Sequence, residues 1–197
     1  MSNTIMGASS GGSDSLVGTS GNDVFRIEGG NDTITGTGGN ETIDFEDATV
    51  GVYVDVSKGT ATGWGTQSFS GISQVYGGAG SDTLMAGSGN DVLVAGSGNS
   101  VLRNTTGDAI LIGGSLKAGK YNSADLVSGY AALAAAAAQW GSAQHTMAGD
   151  LAAAVAAGGL DSFYGGTSAG SATWALYAAG DPFPFWMTGY LKKTQLV

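Results

Sequence analysis

A nine-residue period runs through the first half of this 197-residue chain and restricts the folds that it can adopt. An acidic residue recurs every nine positions, and an apolar residue follows each acid two positions later. In the first run these pairs are Asp14 with Leu16, Asp23 with Phe25, Asp32 with Ile34 and Glu41 with Ile43. In the second run the apolar residues are Leu84, Leu93, Leu102 and Leu111, preceded by Asp82, Asp91, Ser100 and Ala109. A unit this short cannot bury its apolar residue alone, so neighbouring units must stack.

Glycines supply the turns between these units. A glycine lies two positions before the acidic position in most copies: Gly12, Gly21, Gly30, Gly39, Gly80, Gly89 and Gly98. Glycine tolerates the positive φ angles of tight turns, and the apolar residue among small or β-branched neighbours is typical of a very short strand. Two units complete one circuit, which would stack Asp14 on Asp32 and Asp23 on Glu41. The pattern predicts a mainly β N-terminal half, a parallel β-roll of nonapeptide repeats.

Stacked carboxylates point to a cation. At ~4 Å and an effective dielectric constant near 20, two like charges repel by about 4 kcal/mol, so a bound cation would relieve a strong repulsion. The chain has no cysteine, one histidine and a formal net charge of −9. This composition excludes thiolate and multi-histidine metal sites and disfavours nucleic acid as a partner. Calcium, which prefers carboxylate and carbonyl oxygens, is the expected ion.

The repeats resemble the RTX (haemolysin-type calcium-binding repeat) family, whose nonapeptide reads G-G-x-G-x-D-x-U-x. Residues 77–84 match this motif in full, and residues 18–25 and 86–93 each depart from it at one glycine. Residues 44–76 are similar to the spacer found between RTX blocks. We therefore expect a domain over residues 1–112, with repeat blocks 9–43 and 77–112 separated by spacer 44–76.

The resemblance and the spacing together give a set of candidate calcium ligands. Ser100 and Ala109 lack a carboxylate, so sites there should bind weakly, with Asp108 as a partial substitute one residue out of register. The strongest sites are expected in the first block. The candidate metal residues are Asp14, Gly21, Asp23, Gly30, Asp32, Gly39, Glu41, Gly78, Gly80, Asp82, Gly87, Gly89, Asp91 and Asp108.

The composition changes at about residue 113, where acids become rare and alanines and aromatics accumulate. Residues 113–197 are expected to form a separate α+β module. Apolar residues at helical spacing predict a short helical pair, over about 126–140 and 147–157, and alternation over 171–177 predicts an aromatic-rich strand.

The only histidine, His145, allows two interpretations. Residues 144–146, 163–166 and 170–171 are faintly similar to a secreted haemophore, which implies haem binding by His145. That family's second ligand is a tyrosine, whereas Trp174 stands at the corresponding place here. The alternative is an ordinary surface or packing histidine.

No catalytic constellation is present in the sequence, so an enzyme is not expected. The RTX resemblance implies a secreted, extracellular protein exported by type I secretion through an uncleaved C-terminal signal, which agrees with the absence of a signal peptide at the N-terminus. The expected function is that of a calcium-binding structural or cell-surface protein that folds, and self-assembles, on binding extracellular calcium. Its expected partners are calcium, further copies of itself and a bacterial cell surface, with no transmembrane segment. The alternative is a secreted haem-binding protein in which the roll serves folding and export.

Overall fold

The computed structural model describes residues 3–7, 11–116, 161–164, 173–177 and 191–196. These residues form two sheets of eight strands each. In spatial order, sheet A contains β1 (Thr4–Met6), β3 (Val24–Arg26), β5 (Glu41–Asp44), β9 (Ile72–Tyr76), β11 (Asn90–Val94), β13 (Asp108–Ile112), β15 (Thr173–Tyr177) and β16 (Leu191–Leu196). Sheet B contains β14 (Ser162–Tyr164), β12 (Val101–Arg103), β10 (Thr83–Met85), β6 (Tyr53–Asp55), β7 (Thr60–Thr62), β8 (Thr66–Ser70), β4 (Asn31–Thr35) and β2 (Ser15–Val17).

Within the repeats, consecutive strands alternate between the two sheets and pair in parallel with the strand two further on. Ser15 pairs with Thr33 in sheet B, and Val24 pairs with Thr42 in sheet A. In the second block Thr83 pairs with Val101. Each of these pairs is eighteen residues apart, so two nonapeptides complete one coil. The predicted parallel β-roll is confirmed for the repeats.

The core lies between the two sheets and takes one apolar side chain from each repeat. All eight apolar residues of the nine-residue period are buried, from Phe25, which is fully buried, to Leu16, which is 7% exposed. Burying a side chain of this size contributes roughly 1.5–3 kcal/mol. Phe163 of β14 and Ala175 of β15 join the same core.

The spacer is part of the roll. β9 lies between β5 and β11 in sheet A, whereas sheet B accommodates the three strands β8, β7 and β6 between β4 and β10. β7 runs antiparallel to both of its neighbours. Gly65, with a φ of 88°, immediately precedes β8, and a Cβ at this position would lie 1.7 Å from the carbonyl oxygen of Gly30. Only glycine allows the spacer to pack this closely on the first block.

Both sheets continue beyond residue 112. β14 pairs in parallel with β12, and β15 pairs in parallel with β13. The proposed module boundary at about residue 113 stays a prediction, and the two sheets extend across it. The predicted helical pair lies outside the described residues.

The outer faces of the two sheets differ. Val92, Val94, Ile110 and Ile112 point away from the core of sheet A and are at most 1% exposed. By contrast, the outward residues of β4, β7 and β8 in sheet B are mainly threonines and serines in contact with solvent. In the described part of the chain there is no helix with the length and apolar character needed to cross a bilayer.

Candidate calcium sites

The acids of the repeats form two rows, one at the start of the strands of each sheet. We call them the A-edge row, with Asp23, Glu41 and Asp91, and the B-edge row, with Asp14, Asp32 and Asp82. The strand register stacks Asp14 on Asp32 and Asp23 on Glu41, as the spacing predicts.

In the A-edge row, the first-block carboxylates are buried and accept backbone N–H groups. Asp23 accepts the N–H groups of Asn3, at 2.7 Å, and Thr19. Glu41 accepts the N–H of Asp23 at 2.6 Å and that of Gly38 at 3.2 Å. Both acids are fully buried. Each carboxylate therefore joins the preceding coil to its own glycine turn.

The B-edge row follows the same pattern. Asp32 accepts the N–H of Asp14 at 3.0 Å. Asp82 accepts the N–H groups of Val52 at 2.8 Å and Gly78 at 2.9 Å. Asp82 thus links the spacer, through Val52, to the first glycine turn of the second block, through Gly78.

In the second block, the first repeat on each edge has an acid, and the next repeat on that edge has a residue without a carboxylate. On the B edge, the Ser100 hydroxyl takes the place of the acid and accepts the N–H of Asp82 at 3.1 Å. On the A edge, Asp91 accepts the N–H of Gly87 at 2.7 Å but is in register with Ala109. Asp108 pairs with Asn90, one position out of the row, as the sequence indicates.

Asp161 restores the B-edge row at a position that the nine-residue period does not predict. Its carboxylate is fully buried and accepts the N–H groups of Ser100 and Gly114, each at 2.7 Å. Residues 115–160 are therefore inserted between a turn glycine and the acid of the same repeat. The motif Asp161-Ser162-Phe163 has the acid and apolar residue of a repeat and was the available signal, but its distance from Ala109 is not a multiple of nine.

The candidate glycines lie in turns that stack directly on one another. A Cβ at Gly30 would be 2.1 Å from the Gly12 oxygen, and one at Gly39 would be 2.6 Å from the Gly21 oxygen. Similar backbone contacts restrict Gly78 and Gly80, whereas the neighbours of Gly87 and Gly89 are farther away. These stacked turns bring carbonyl oxygens of one coil against glycines of the next, two residues before the acids Asp32 and Glu41.

Among the described residues, the cationic side chains that form ion pairs do so with acids outside the two rows. The ion pairs of the described residues join Arg26 to Asp44 and Asp47, and Lys58 to Asp55, and none includes Asp23, Asp32, Glu41, Asp82 or Asp91. Burial raises the pKa of Asp82 and of Asp91 to about 6, and it also raises the pKa of Glu41. These groups pay a desolvation cost that a bound cation would offset.

The donor set fits a hard cation such as calcium. It consists of carboxylate, carbonyl, hydroxyl and amide oxygens, with neither thiolate nor imidazole among the described residues. Among those same residues, no three acidic or histidine side chains converge on one point. An ion on either edge would therefore combine acids of adjacent coils with neutral oxygens from the turns.

Comparison with known proteins identifies the repeats. The family model for the RTX calcium-binding nonapeptide repeat matches in four copies, over residues 9–43 and 69–102. The chain therefore carries RTX calcium-binding repeats, and the resemblance that the sequence indicates is confirmed. Neither a curated protein nor a solved structure matches the chain.

The proposed haem ligand, His145, lies outside the described residues. The haem interpretation stays a prediction.

Proposed function

We propose that this protein is a secreted, calcium-dependent structural or cell-surface protein whose roll folds when it binds extracellular calcium. Its role is structural and not catalytic. The observation that carries this proposal is the burial of Asp23, Glu41, Asp32, Asp82 and Asp91 without a cationic side chain in the described structure.

The acids of the two rows would be the calcium ligands. Asp14 with Asp32, and Asp23 with Glu41, would hold calcium in the first block, and Asp82 and Asp91 would hold it in the second. Bound calcium would neutralise the stacked carboxylates and link adjacent turns. The acids themselves fix their turns by accepting backbone N–H groups, so coil stacking and cation binding use the same side chains.

The difference in calcium concentration between the inside and the outside of a cell would then determine where the chain folds. The repeats would remain open at the low calcium level inside a cell and close at millimolar calcium outside, which suits export of an unfolded chain. Type I secretion is the route that the repeat family favours.

Self-assembly is part of the proposal because one end of the roll presents strand edges. β1 and β2 are the terminal strands of sheets A and B, and Met6 and Val17 on them are more than half exposed. Terminal strands carry backbone groups that can pair with another chain. A layer or filament on a bacterial surface would use such contacts.

The experiment is a calcium titration of the EDTA-treated full chain, followed by far-UV circular dichroism and light scattering. We expect a gain of β signal at millimolar calcium, and growth in particle size if the roll assembles. A gain of β signal at constant size would remove self-assembly from the proposal. No response to millimolar calcium would overturn the calcium-dependent function as a whole.

A further inference from the structure

Gln67 of the spacer stands where the B-edge row continues beyond Asp32. The register of β4 with β8 pairs Asp32 with Gln67, just as the register of β2 with β4 stacks Asp14 on Asp32. Three oxygen-bearing side chains therefore follow one another along this edge. The third belongs to the spacer and lies outside the nine-residue period.

The amide nitrogen of Gln67 is hydrogen-bonded, whereas its amide oxygen has no hydrogen-bond partner in the described structure. It is 1% exposed, and its Nε2 donates to the carbonyl oxygens of Gly30, at 3.1 Å, and Trp64, at 3.3 Å. Its Oε1 is buried and has no hydrogen-bond partner in the described structure. A buried amide oxygen without a partner is unusual in a folded protein and calls for an explanation.

The surroundings of this oxygen suit a cation. Nε2 holds the amide against the carbonyl of Gly30, two residues before Asp32, and the strand register places Gln67 beside Asp32. Amide and carbonyl oxygens are regular ligands of calcium beside carboxylates. On the two strands that follow β8 in sheet B, the acids at this edge are Asp32 and Asp14.

We propose that Gln67 Oε1 is a ligand of a further calcium site between Asp32 and the spacer, which closes the B-edge row of the first block. This inference rests on the proposed calcium-dependent function and extends it to a residue outside the repeats. The site uses one carboxylate and one neutral amide, so it should bind calcium more weakly than the sites between two acids.

Trp64 provides a reporter for cations bound beside this turn. Its indole lies against the same turn, where a Cβ on Gly29 would be 3.5 Å from the indole Nε1. Terbium replaces calcium in oxygen sites and emits when a nearby tryptophan is excited. Terbium bound beside Gln67 would therefore emit through Trp64.

The test is a terbium titration of the full chain with tryptophan excitation, for the unmodified protein and for Trp64→Phe, Gln67→Glu and Gln74→Glu. Gln74 is the matched control because it is also a buried spacer glutamine, but it lies on sheet A with its Oε1 accepting from the Thr42 hydroxyl. We expect Trp64→Phe to remove a component of the emission. Gln67→Glu should lower the terbium midpoint of that component by about tenfold, because an added charged ligand strengthens such sites. Gln74→Glu should leave the midpoint unchanged.

Two results would overturn the assignment of Gln67 as a ligand, and a third would refute the proposed function. A Gln67→Glu chain that folds in calcium with an unchanged or higher midpoint would overturn the assignment, since a purely structural glutamine loses two hydrogen bonds on this change and gains no cation. Undiminished emission from Trp64→Phe would also overturn it, and this variant does not depend on the folding of Gln67→Glu. A chain that binds neither calcium nor terbium at any site would instead refute the proposed function itself.

Discussion

The two repeat blocks share one backbone design and differ in what stands at its edges. In the first block, each of the four repeats contributes an acid to one of the two rows: Asp14, Asp23, Asp32 and Glu41. In the second block Asp82 and Asp91 are followed by Ser100 and Ala109, although the strand pairing and the buried leucines continue unchanged. Coil stacking therefore depends on the apolar positions and glycine turns, whereas the density of carboxylates can change independently.

The comparison also shows how the missing carboxylates are replaced. Ser100 keeps the hydrogen bond to the Asp82 N–H by means of a neutral hydroxyl, and Asp161 then takes the N–H of Ser100. An uncharged acceptor preserves the link between coils without adding a charge. We interpret the first block as the stronger cation-binding part and the second as the part that joins the roll to the inserted segment.

The strongest of the predicted effects is an inverted pH dependence of the stability of the calcium-free protein. Asp82 and Asp91 have folded-state pKa values raised from 3.8 to about 6 by burial, so the folded state binds their protons more tightly than the unfolded state does. The contribution of these two acids to the stability of the calcium-free roll should therefore be complete below about pH 4 and be lost as the pH rises through about 6, by up to about 3 kcal/mol for each acid. Far-UV circular dichroism of EDTA-treated protein measures this difference: the β signal should be larger at pH 4.5 than at pH 7.5, where the calcium-free roll is expected to be open.

The double variant Asp82→Asn/Asp91→Asn assigns that pH dependence to the second block. It should have a flatter stability profile between pH 4 and pH 7 than the unmodified chain. A profile that stays equally steep would place the titrating groups elsewhere; Asp44, whose pKa burial also raises to about 6, would be the next residue to test.

Removal of Asp161 should detach the end of the second block. Asp161→Ala leaves the buried N–H groups of Ser100 and Gly114 without their acceptor, at a cost of about 1–3 kcal/mol each. We expect a lower unfolding midpoint in saturating calcium, measured by circular dichroism. Asp108→Ala is the control, since Asp108 is outside the row. An equal effect of both substitutions would contradict the role that we give to Asp161.

A single acid should matter more to calcium binding in the first block than in the second. Asp23→Asn weakens a row in which Glu41 is the neighbour, whereas Asp91→Asn weakens a row that continues to Ala109. The calcium midpoint should rise about tenfold for Asp23→Asn, equivalent to about 1.4 kcal/mol, and by less for Asp91→Asn. Isothermal calorimetry of both variants decides the order, and equal shifts would remove the distinction between the blocks.

The smallest effect should come from making the second block more like the first. Ser100→Asp places a carboxylate next to Asp82 and should lower the calcium midpoint by about threefold, because ligand charge tunes the affinity of such sites. The same change should destabilise the EDTA-treated protein through repulsion between the two acids. Ser97→Asp, on an exposed position of the same turn, serves as the control. A Ser100→Asp variant that is stabilised without calcium would contradict this interpretation.

Local periodicity explains why so much of the roll could be predicted from the sequence. A coil contacts its neighbours at a fixed separation of eighteen residues, so the period alone gives the pairing of Asp14 with Asp32, the buried position of Phe25 and the glycine turns. The same logic places Ser100 and Ala109 at the edges where carboxylates are missing.

Gln67 and Asp161 could not be placed in this way. The spacer adds an antiparallel strand, and residues 115–160 interrupt a turn, so the separation of these two residues from their partners is not set by the repeat. The repeat spacing is enough to predict the coil, its core and the acids of the two blocks, because those depend on contacts that recur at one interval. The distant residues that complete the rows, and the outer face that is buried, are seen only in the folded chain, because both depend on where the non-repeating segments return to the sheets.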